Sequence, residues 1–265
     1  MQSTRLASQK GIFYPDNCSK LSIYFEKFTE YIEDKRKLSN KTARAIIVPH
    51  AGYVYSGFSA NMAYQYIKSS KTKRVIVIGP SHHHYFRGVS GSYYESYETP
   101  CGDLSIDTDY LISLSKSLPI GFEPKAHAKE HSTEVQMPFI KHYLPHTKVI
   151  ELIYGDVSVS SLSLIIDTLL QDKNNTIIIS TDLSHFYTKT KAKALDSICL
   201  EAIKKLDSSL LDRGCEACGI LGLKAMIISS KKANMHSFVL DYRTSADYSG
   251  DNSRVVGYGS AILVE

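Results

Sequence analysis

Four short apolar runs constrain the fold of this chain more than any other feature, and they occupy residues 44–48, 74–78, 148–154 and 176–180. Each run is apolar almost throughout instead of alternating with polar residues, which is typical of strands that are buried on both faces. Segments with the spacing of amphipathic helices lie between the runs. We therefore predict an α/β fold with a central, mostly parallel or mixed β-sheet that is flanked by helices on both faces.

The remaining segments complete this predicted architecture. Residues 238–242 and 254–264 are predicted to be closing strands, and the polar stretch between them is too short for a helical crossover, so the two could pair antiparallel at one side of the sheet. Turn residues between 88 and 107 predict a hairpin or irregular strands. No linker or change of composition divides the chain, which favours a single domain over residues 1–265. Helices are predicted over residues 17–36, 59–68, 108–117, 132–143, 160–170, 192–206 and 219–230.

Composition and charge exclude several classes of protein. The net charge of +4 is mild and the basic residues are scattered, which argues against nucleic-acid binding. No apolar run approaches the roughly 20 residues of a membrane span. The N-terminus has no apolar signal-peptide core, so we expect a cytoplasmic protein with no membrane partner. The five cysteines lack the spacing of a secreted disulfide framework, and Cys215 and Cys218 are interpreted as ordinary thiols near a helix start in preference to a redox pair.

A histidine follows three of the four apolar runs within a few residues, and these histidines are His50, His82 and His185. Ligand sites of open α/β sheets form outside the carboxyl ends of the strands, so we expect the three side chains to meet at one edge of the sheet. Within the histidine run 82–84, only His82 is assigned to the site, because it is nearest to the end of its strand.

Nearby polar residues add orienting and acid–base groups. Asp182 precedes His185 by three residues and could orient a histidine by accepting its ring N–H. His131 is a further acid–base candidate. Three histidines with an open position suit a zinc hydrolase, whereas two histidines with a carboxylate suit a non-haem Fe(II) oxygenase. The sequence leaves that carboxylate open among Asp182, Glu130, Asp247 and Asp251.

Several segments resemble the Memo family, and they follow one another over nearly the whole chain. They lie at residues 13–15, 46–57, 78–84, 99–104, 130–139, 180–185 and 242–261, and the motifs PHAGY and GPSHH within them are the most specific together. The resemblance implies a fold similar to that of the class III (LigB-type) extradiol dioxygenases, which bind Fe(II) with two histidines and a glutamate. It implies that His50 and His82 are metal ligands and that His185 is a further histidine of the pocket, with Asp182 beside it. Tyr248 stands where the animal members have a cysteine.

These expectations describe a Memo-like protein with a dioxygenase-like pocket that binds a metal through His50, His82 and His185. The function expected first is that of a metal-dependent oxidoreductase, with Fe(II) as the cofactor and copper or zinc as alternatives. The predicted catalytic residues are His131, Asp182, His185 and Tyr248.

Two other functions stay open at this point. Because a tyrosine replaces the soft thiolate, the pocket could hold no metal and bind a peptide or a small anionic ligand as an adaptor protein. A metal-dependent hydrolase would instead use Glu130 as its base. Residues 243–249 resemble the prokaryotic branch of the family, whose members are often considered together with a radical-SAM protein, and the resemblance implies such a partner.

Overall fold

The structure is a computed structural model that describes residues 4–33, 41–67 and 72–265. In chain order its strands are β1 (Thr4–Arg5), β2 (Ala45–Val48), β3 (Arg74–Pro80), β4 (Val89–Gly91), β5 (Ser96–Tyr97), β6 (Leu104–Ser105), β7 (Ile120–Gly121), β8 (Lys148–Tyr154), β9 (Asn175–Ser180), β10 (His185–Tyr187), β11 (His236–Thr244) and β12 (Val255–Val264). Its α-helices are α1 (Cys18–Glu33), α2 (Phe58–Tyr64), α3 (Thr108–Ser115), α4 (Pro124–His127), α5 (His131–Glu134), α6 (Met137–Tyr143), α7 (Val159–Gln171), α8 (Lys189–Lys205), α9 (Ile220–Lys232) and α10 (Ala246–Ser249).

The main sheet is built around the four apolar runs. Its strand order is β10-β12-β2-β9-β3-β8-β4-β7, with β11 paired to β12, while β1, β5 and β6 form a small second sheet. The strands β2, β9, β3 and β8 are parallel neighbours. On either side of them, β12 pairs antiparallel with β2 and β4 pairs antiparallel with β8. The predicted mixed sheet with a parallel centre is therefore confirmed, as is the antiparallel pairing of the two closing strands.

Helices cover both faces of the main sheet, and this explains why its central strands are apolar at successive positions. Successive side chains of a strand point to opposite faces. Along β3, Ile76 and Ile78 lie in a core with residues of α7, α8 and α9. Val75 and Val77 lie in a second core with residues of α1, α2 and α6. Both faces of each central strand are therefore buried, as the predicted fold class requires.

The predicted helix over residues 132–143 is two helices in the structure, α5 and α6. Gln136 lies at the break, and its side-chain amide donates to the backbone carbonyl of Pro49 at 2.9 Å and to Ser180 Oγ at 3.0 Å. Pro138 lies in the first turn of α6, where its missing N–H is tolerated. The break thereby directs a buried amide toward the carboxyl ends of β2 and β9.

The other predicted helices are present with shifted ends. Residues 34–36 of the first prediction and residue 68 of the second lie outside the described residues. Within the described residues, no helix is both long enough and apolar enough to cross a membrane.

The cysteines differ from the sequence-based interpretation. Disulfides join Cys18 to Cys101 and Cys199 to Cys215. Cys215 is therefore not a free thiol, because the chain folds so that a partner 16 residues away in sequence meets it. Among the described cysteines this leaves Cys218 as the free thiol.

Candidate metal centre

His50 lies at the carboxyl end of β2, where its side chain is almost fully buried. Val48 of β2 is in register with Ser180 of β9, which brings the residues after each strand side by side. The backbone N–H of His50 donates to Asp182 Oδ1 at 2.7 Å, and His50 Nδ1 lies 3.0 Å from Ser180 Oγ. Burial, followed by the neighbouring His82, lowers the pKa of His50 well below its ordinary value, so the ring is neutral at pH 7.

The hydrogen bonds of Ser180 determine which nitrogen of His50 carries the proton. The Ser180 hydroxyl donates to the backbone carbonyl of Ser132 and accepts from Gln136 Nε2. Its single proton is committed to the carbonyl, so toward His50 the hydroxyl oxygen can only accept. His50 Nδ1 therefore carries the hydrogen, and His50 Nε2 is left with a free lone pair.

His82 follows β3 and is held in the same tautomer by Glu130. The carboxylate of Glu130 is fully buried and accepts from the backbone N–H of His82 at 2.6 Å and from His82 Nδ1 at 2.8 Å. It also accepts from the backbone N–H of Ser132 at 2.9 Å, at the start of α5. Burial alone would raise the pKa of Glu130, but the hydrogen bonds and charge of His82 outweigh it and hold the pKa at about 2. Because an ionised carboxylate only accepts, His82 Nδ1 carries a hydrogen, and in the neutral ring the lone pair is at Nε2.

Cys218 brings a thiol to these two histidines from the segment that precedes α9. Its Sγ lies 3.3 Å from His50 Nε2. The backbone N–H of Cys218 donates to the carbonyl of Asp182 at 3.2 Å, which holds the segment against the end of β9. Burial raises the pKa of the Cys218 thiol to about 12, so the sulfur is a neutral thiol when no cation lies beside it.

These three side chains match the ligand chemistry of a transition-metal ion. One ligand atom from each of His50, His82 and Cys218 lies within 4.8 Å of the other two. Bonds of about 2.0 Å to nitrogen and about 2.3 Å to sulfur place two ligands of a tetrahedral ion roughly 3.5 Å apart, close to the 3.3 Å between His50 Nε2 and Cys218 Sγ. His82, Glu130 and His131 form a second group whose ligand atoms lie within 4.8 Å of one another, and it has the two histidines and glutamate of the Fe(II) dioxygenases. In this second group the oxygens of Glu130 already accept from N–H groups of His82 and Ser132.

His131, a predicted acid–base residue, lies against both histidines. Its ring centroid is 4.4 Å from that of His82 and 5.3 Å from that of His50. The ring of Phe13 stacks on it at 4.9 Å, and His83 Nε2 lies 3.3 Å from His131 Nδ1. Burial, followed by the charge of His82, lowers the pKa of His131 to about 4. At pH 7 it is thus a neutral imidazole that can exchange hydrogen bonds with a bound ligand.

His185 lies beside this cluster and not within it. It opens β10 after the four residues that separate β10 from β9, and it is absent from the groups of described residues whose ligand atoms lie within 4.8 Å of one another. It is nevertheless close enough to lower the pKa of His50. Burial lowers the pKa of His185 itself, while a bond to the backbone carbonyl of Leu183 opposes the change and orients the ring.

Asp182 and Tyr248 occupy very different positions. Asp182 is buried beneath His50, and burial raises its pKa to about 7 against the opposing effect of the His50 backbone N–H. Tyr248, in α10, is 66% exposed, and its ring packs edge-on against Tyr55 at 5.4 Å. Position 248 therefore brings no side chain to the two histidines, and the thiol that lies beside His50 is that of Cys218.

Comparisons with known proteins address the family and the fold. The family model of Memo-like proteins matches residues 5–262. The chain belongs to the Memo family. A MEMO1 family protein of Methanobrevibacter smithii is 32% identical over 275 residues, with 96% of this chain and 97% of that protein covered. Another, from Methanosarcina acetivorans, is 33% identical over 267 residues with the same coverage.

A solved structure shows the same fold at low sequence identity. The crystal structure of an uncharacterized protein from Escherichia coli K12 superimposes with a TM-score of 0.50 and 11% identity, covering 82% of this chain and 98% of that chain. At this identity the likeness concerns the fold alone. The predicted family and the predicted fold class are both confirmed.

Cys218 is the site residue of this Memo protein that sequence reasoning missed. A signal was present in the glycine that follows it. A Cβ atom on Gly219 would lie 2.7 Å from Thr181 Cβ, so only glycine lets this segment approach the end of β9 so closely. A cysteine directly before such a glycine is placed at the strand edge by backbone contact.

Outside the candidate site, His127 forms a trio with Glu151 and Ser90 that has the geometry of a catalytic triad but lies in the core. His127 Nδ1 is 2.8 Å from Glu151 Oε2, and His127 Nε2 is 2.9 Å from Ser90 Oγ. The exposure of these three side chains is 1% or less. A nucleophile has to reach its substrate, so we interpret the trio as a structural hydrogen-bond network.

Proposed function

We propose that this Memo-family protein binds one transition-metal ion through His50 Nε2, His82 Nε2 and Cys218 Sγ, and that the loaded site performs oxidoreductase chemistry. The observation that carries the proposal is the convergence of the three ligand groups within 4.8 Å of one another. Hydrogen bonds to Nδ1 hold both imidazoles in the tautomer that leaves Nε2 free for a metal.

The donor set also narrows the choice of metal. Thiolate and imidazole together favour copper, zinc and iron over hard cations such as Mg²⁺. Copper or iron, when bound, would supply the change of oxidation state that zinc lacks. Beside such an ion, His131 presents a neutral imidazole whose ring centroid is 4.4 Å from that of His82. The ring of Phe13 stacks on His131. His131 would hold a ligand's proton, and Phe13 would exclude water from one side of the site.

Neither of the other two functions has an observation that favours it over this one. The adaptor interpretation depended on the lack of a soft ligand, and Cys218 supplies a sulfur 3.3 Å from His50 Nε2. The hydrolase interpretation required Glu130 as a base. Its oxygens accept from N–H groups of His82 and Ser132, which leaves the carboxylate poorly placed to activate water.

Elemental analysis of the full chain, purified without chelators, tests the proposal. We expect about one equivalent of copper or iron in the wild type, and a loss of at least about tenfold in His50→Ala and Cys218→Ser. Zinc alone would support the ligand set and contradict the oxidoreductase chemistry. His146→Ala is the matched control, because His146 is an exposed histidine away from the site. Cobalt(II) substitution adds a spectroscopic check, since a thiolate-to-metal charge-transfer band should disappear in Cys218→Ser and persist in His146→Ala. Equal metal content in all four proteins would refute the proposal.

A further inference from the structure

His83 and His131 bring two imidazole nitrogens together beside the inner site, the name used below for His50, His82 and Cys218. His83 Nε2 lies 3.3 Å from His131 Nδ1. Hydrogen bonds from N–H groups in proteins usually span about 2.7–3.2 Å, so this pair is at the long limit of that interaction. Two nitrogen ligands of a tetrahedral ion, each about 2.0–2.1 Å from it, lie roughly 3.3–3.4 Å apart. The separation therefore matches that of two imidazoles that share one metal ion.

Both rings are held in place by other parts of the chain. The loop that carries His83 is fixed on either side of it. The backbone N–H of Ser81 donates to the carbonyl of the last residue of β8 at 2.9 Å, and the Ser81 hydroxyl donates to the carbonyl of His84 at 2.7 Å. The ring of Phe13 stacks on His131 with the centroids 4.9 Å apart. The approach of the two nitrogens thus follows from a fixed loop and a packed ring.

The carboxylate of Glu130 places a negative charge beside this pair. It is fully buried, and among the described residues the side chains within ion-pair distance of it are the imidazoles of His82 and His131. A buried charge in a protein is normally paired with an opposite charge or lies beside a metal ion. Glu130 Oε1 is 3.5 Å from His131 Nδ1. A cation between His83 and His131 would therefore be stabilised by this charge, while Glu130 keeps the hydrogen bonds that it accepts.

Exposure falls from this pair toward the inner site. His83 is exposed, the side chains of His82 and His131 are 27% and 17% exposed, and His50 is buried. The four rings are in contact in sequence, with centroid distances of 5.4 Å from His83 to His131, 4.4 Å from His131 to His82 and 5.2 Å from His82 to His50. Moving an ion from water into a buried site is costly unless ligands replace its water. A row of imidazoles supplies such ligands one after another.

We propose that His83 Nε2 and His131 Nδ1 form a second, outer metal site, which takes up a transition-metal ion from solvent before the ion reaches the inner site. The inference rests on the proposed function, because the ion that it takes up is the one that the inner site binds. Imidazole ligands suit zinc, copper, iron and nickel. With two protein ligands and no thiolate, the outer site should bind such an ion more weakly than the inner site. The outer ion would use Nδ1 of His131, so Nε2 of that ring stays free for the proton of a ligand.

Removal of the inner ligands isolates the outer site at equilibrium. In the full chain without an affinity tag, the double variant His50→Ala, Cys218→Ser should still bind about one equivalent of Zn²⁺ by calorimetry, and the addition of His83→Ala should weaken that binding at least about tenfold. The control is His84→Ala in the same background, because His84 follows His83 in the chain but its Nε2 faces Glu123 at 3.6 Å. A zinc affinity that is the same with and without His83 would overturn the inference.

Stopped-flow loading with cobalt(II) tests the order of binding in a chain that keeps every inner ligand. The thiolate-to-cobalt band of Cys218 appears when the ion reaches the inner site. A site on the path speeds entry and exit alike, so His83→Ala should slow the appearance of the band at least about fivefold and leave its final intensity and the inner affinity within about twofold of the wild type. His84→Ala should load like the wild type. Loading of His83→Ala at the wild-type rate would overturn the inference, and so would a weaker final band, because His83 would then belong to the inner site.

The two sites fail in different ways. If the wild type binds zinc, and the zinc is lost in His83→Ala but retained in Cys218→Ser, the proposed function fails and the outer site stands. If the cobalt band forms at the same rate in the wild type and in His83→Ala, the inner site stands and the outer site fails.

Discussion

Glu130→Gln perturbs the residue that determines the tautomer of His82. The substitution keeps the size of the side chain and exchanges one acceptor oxygen for an NH₂ donor. Glu130 accepts from His82 N, His82 Nδ1 and Ser132 N, and glutamine can accept on one side only. At least one of these N–H groups therefore faces another donor in the variant.

The magnitude follows from the burial of this carboxylate. The exposure of Glu130 is 0%, so water cannot replace the lost acceptor. A charge-assisted hydrogen bond of this kind contributes about 1.5–3 kcal/mol. Loss of the partner that orients a metal-binding histidine typically lowers metal affinity about 10–100-fold. We expect a loss of affinity in that range, and a decrease of about 1.5–3 kcal/mol in the unfolding free energy of the metal-free protein.

Zinc titration in competition with a chromophoric chelator measures the affinity, and urea unfolding measures the stability. Glu123→Gln is the matched control, because Glu123 also accepts a backbone N–H at a helix start, from Lys125 at 3.4 Å, but its side chain is 36% exposed. We expect this control to change the zinc affinity less than about threefold. If folded Glu130→Gln binds zinc within about threefold of the wild type, the argument from the His82 tautomer is wrong.

Three further predictions concern the Cys218 thiol, the ion pairs of Asp107, and the buried trio that contains Ser90. Zinc at about 1,000 times its dissociation constant should raise the unfolding free energy of the wild type by about 4 kcal/mol, and Cys218→Ser should show less than half of that increase in the same thermal scan; equal increases would contradict a ligand role for Cys218. Burial of Asp107 is outweighed by hydrogen bonds from Arg74 and Lys148, which hold its pKa below the ordinary value. Its contribution to stability is therefore present above about pH 4 and is lost as the pH falls through the lowered pKa, so the urea midpoint should drop more between about pH 5 and pH 2 in the wild type than in Asp107→Asn. Because Ser90 is buried, neither the wild type nor Ser90→Ala should hydrolyse a model ester faster than buffer alone, and hydrolysis by the wild type that falls more than about tenfold in Ser90→Ala would show that the trio is catalytic.

The parallel centre of the sheet could be predicted from the sequence, because burial on both faces leaves a local signature. The run at residues 148–154 coincides with β8, and the run at 176–180 differs from β9 by one residue. The helix predicted over residues 132–143 is wrong at Gln136, where a buried side-chain amide bonds to two other strand ends. Such a contact depends on residues distant in sequence, and helical spacing does not report it.

Sequence by itself determined the edge at which the site lies and the placement there of His50 and His82, since parallel strands carry their following residues to one side of a sheet. Only the tertiary structure decided that Cys218 joins them. Cys218 is 168 positions from His50, and three residues earlier Cys215 forms a disulfide instead. The tautomers of both histidines likewise depend on Ser180 and Glu130, whose contacts arise when separate elements pack. The local sequence pattern indicates which strands are buried and at which edge of the sheet the residues after them lie. Which individual polar atoms pair with one another is determined by packing alone.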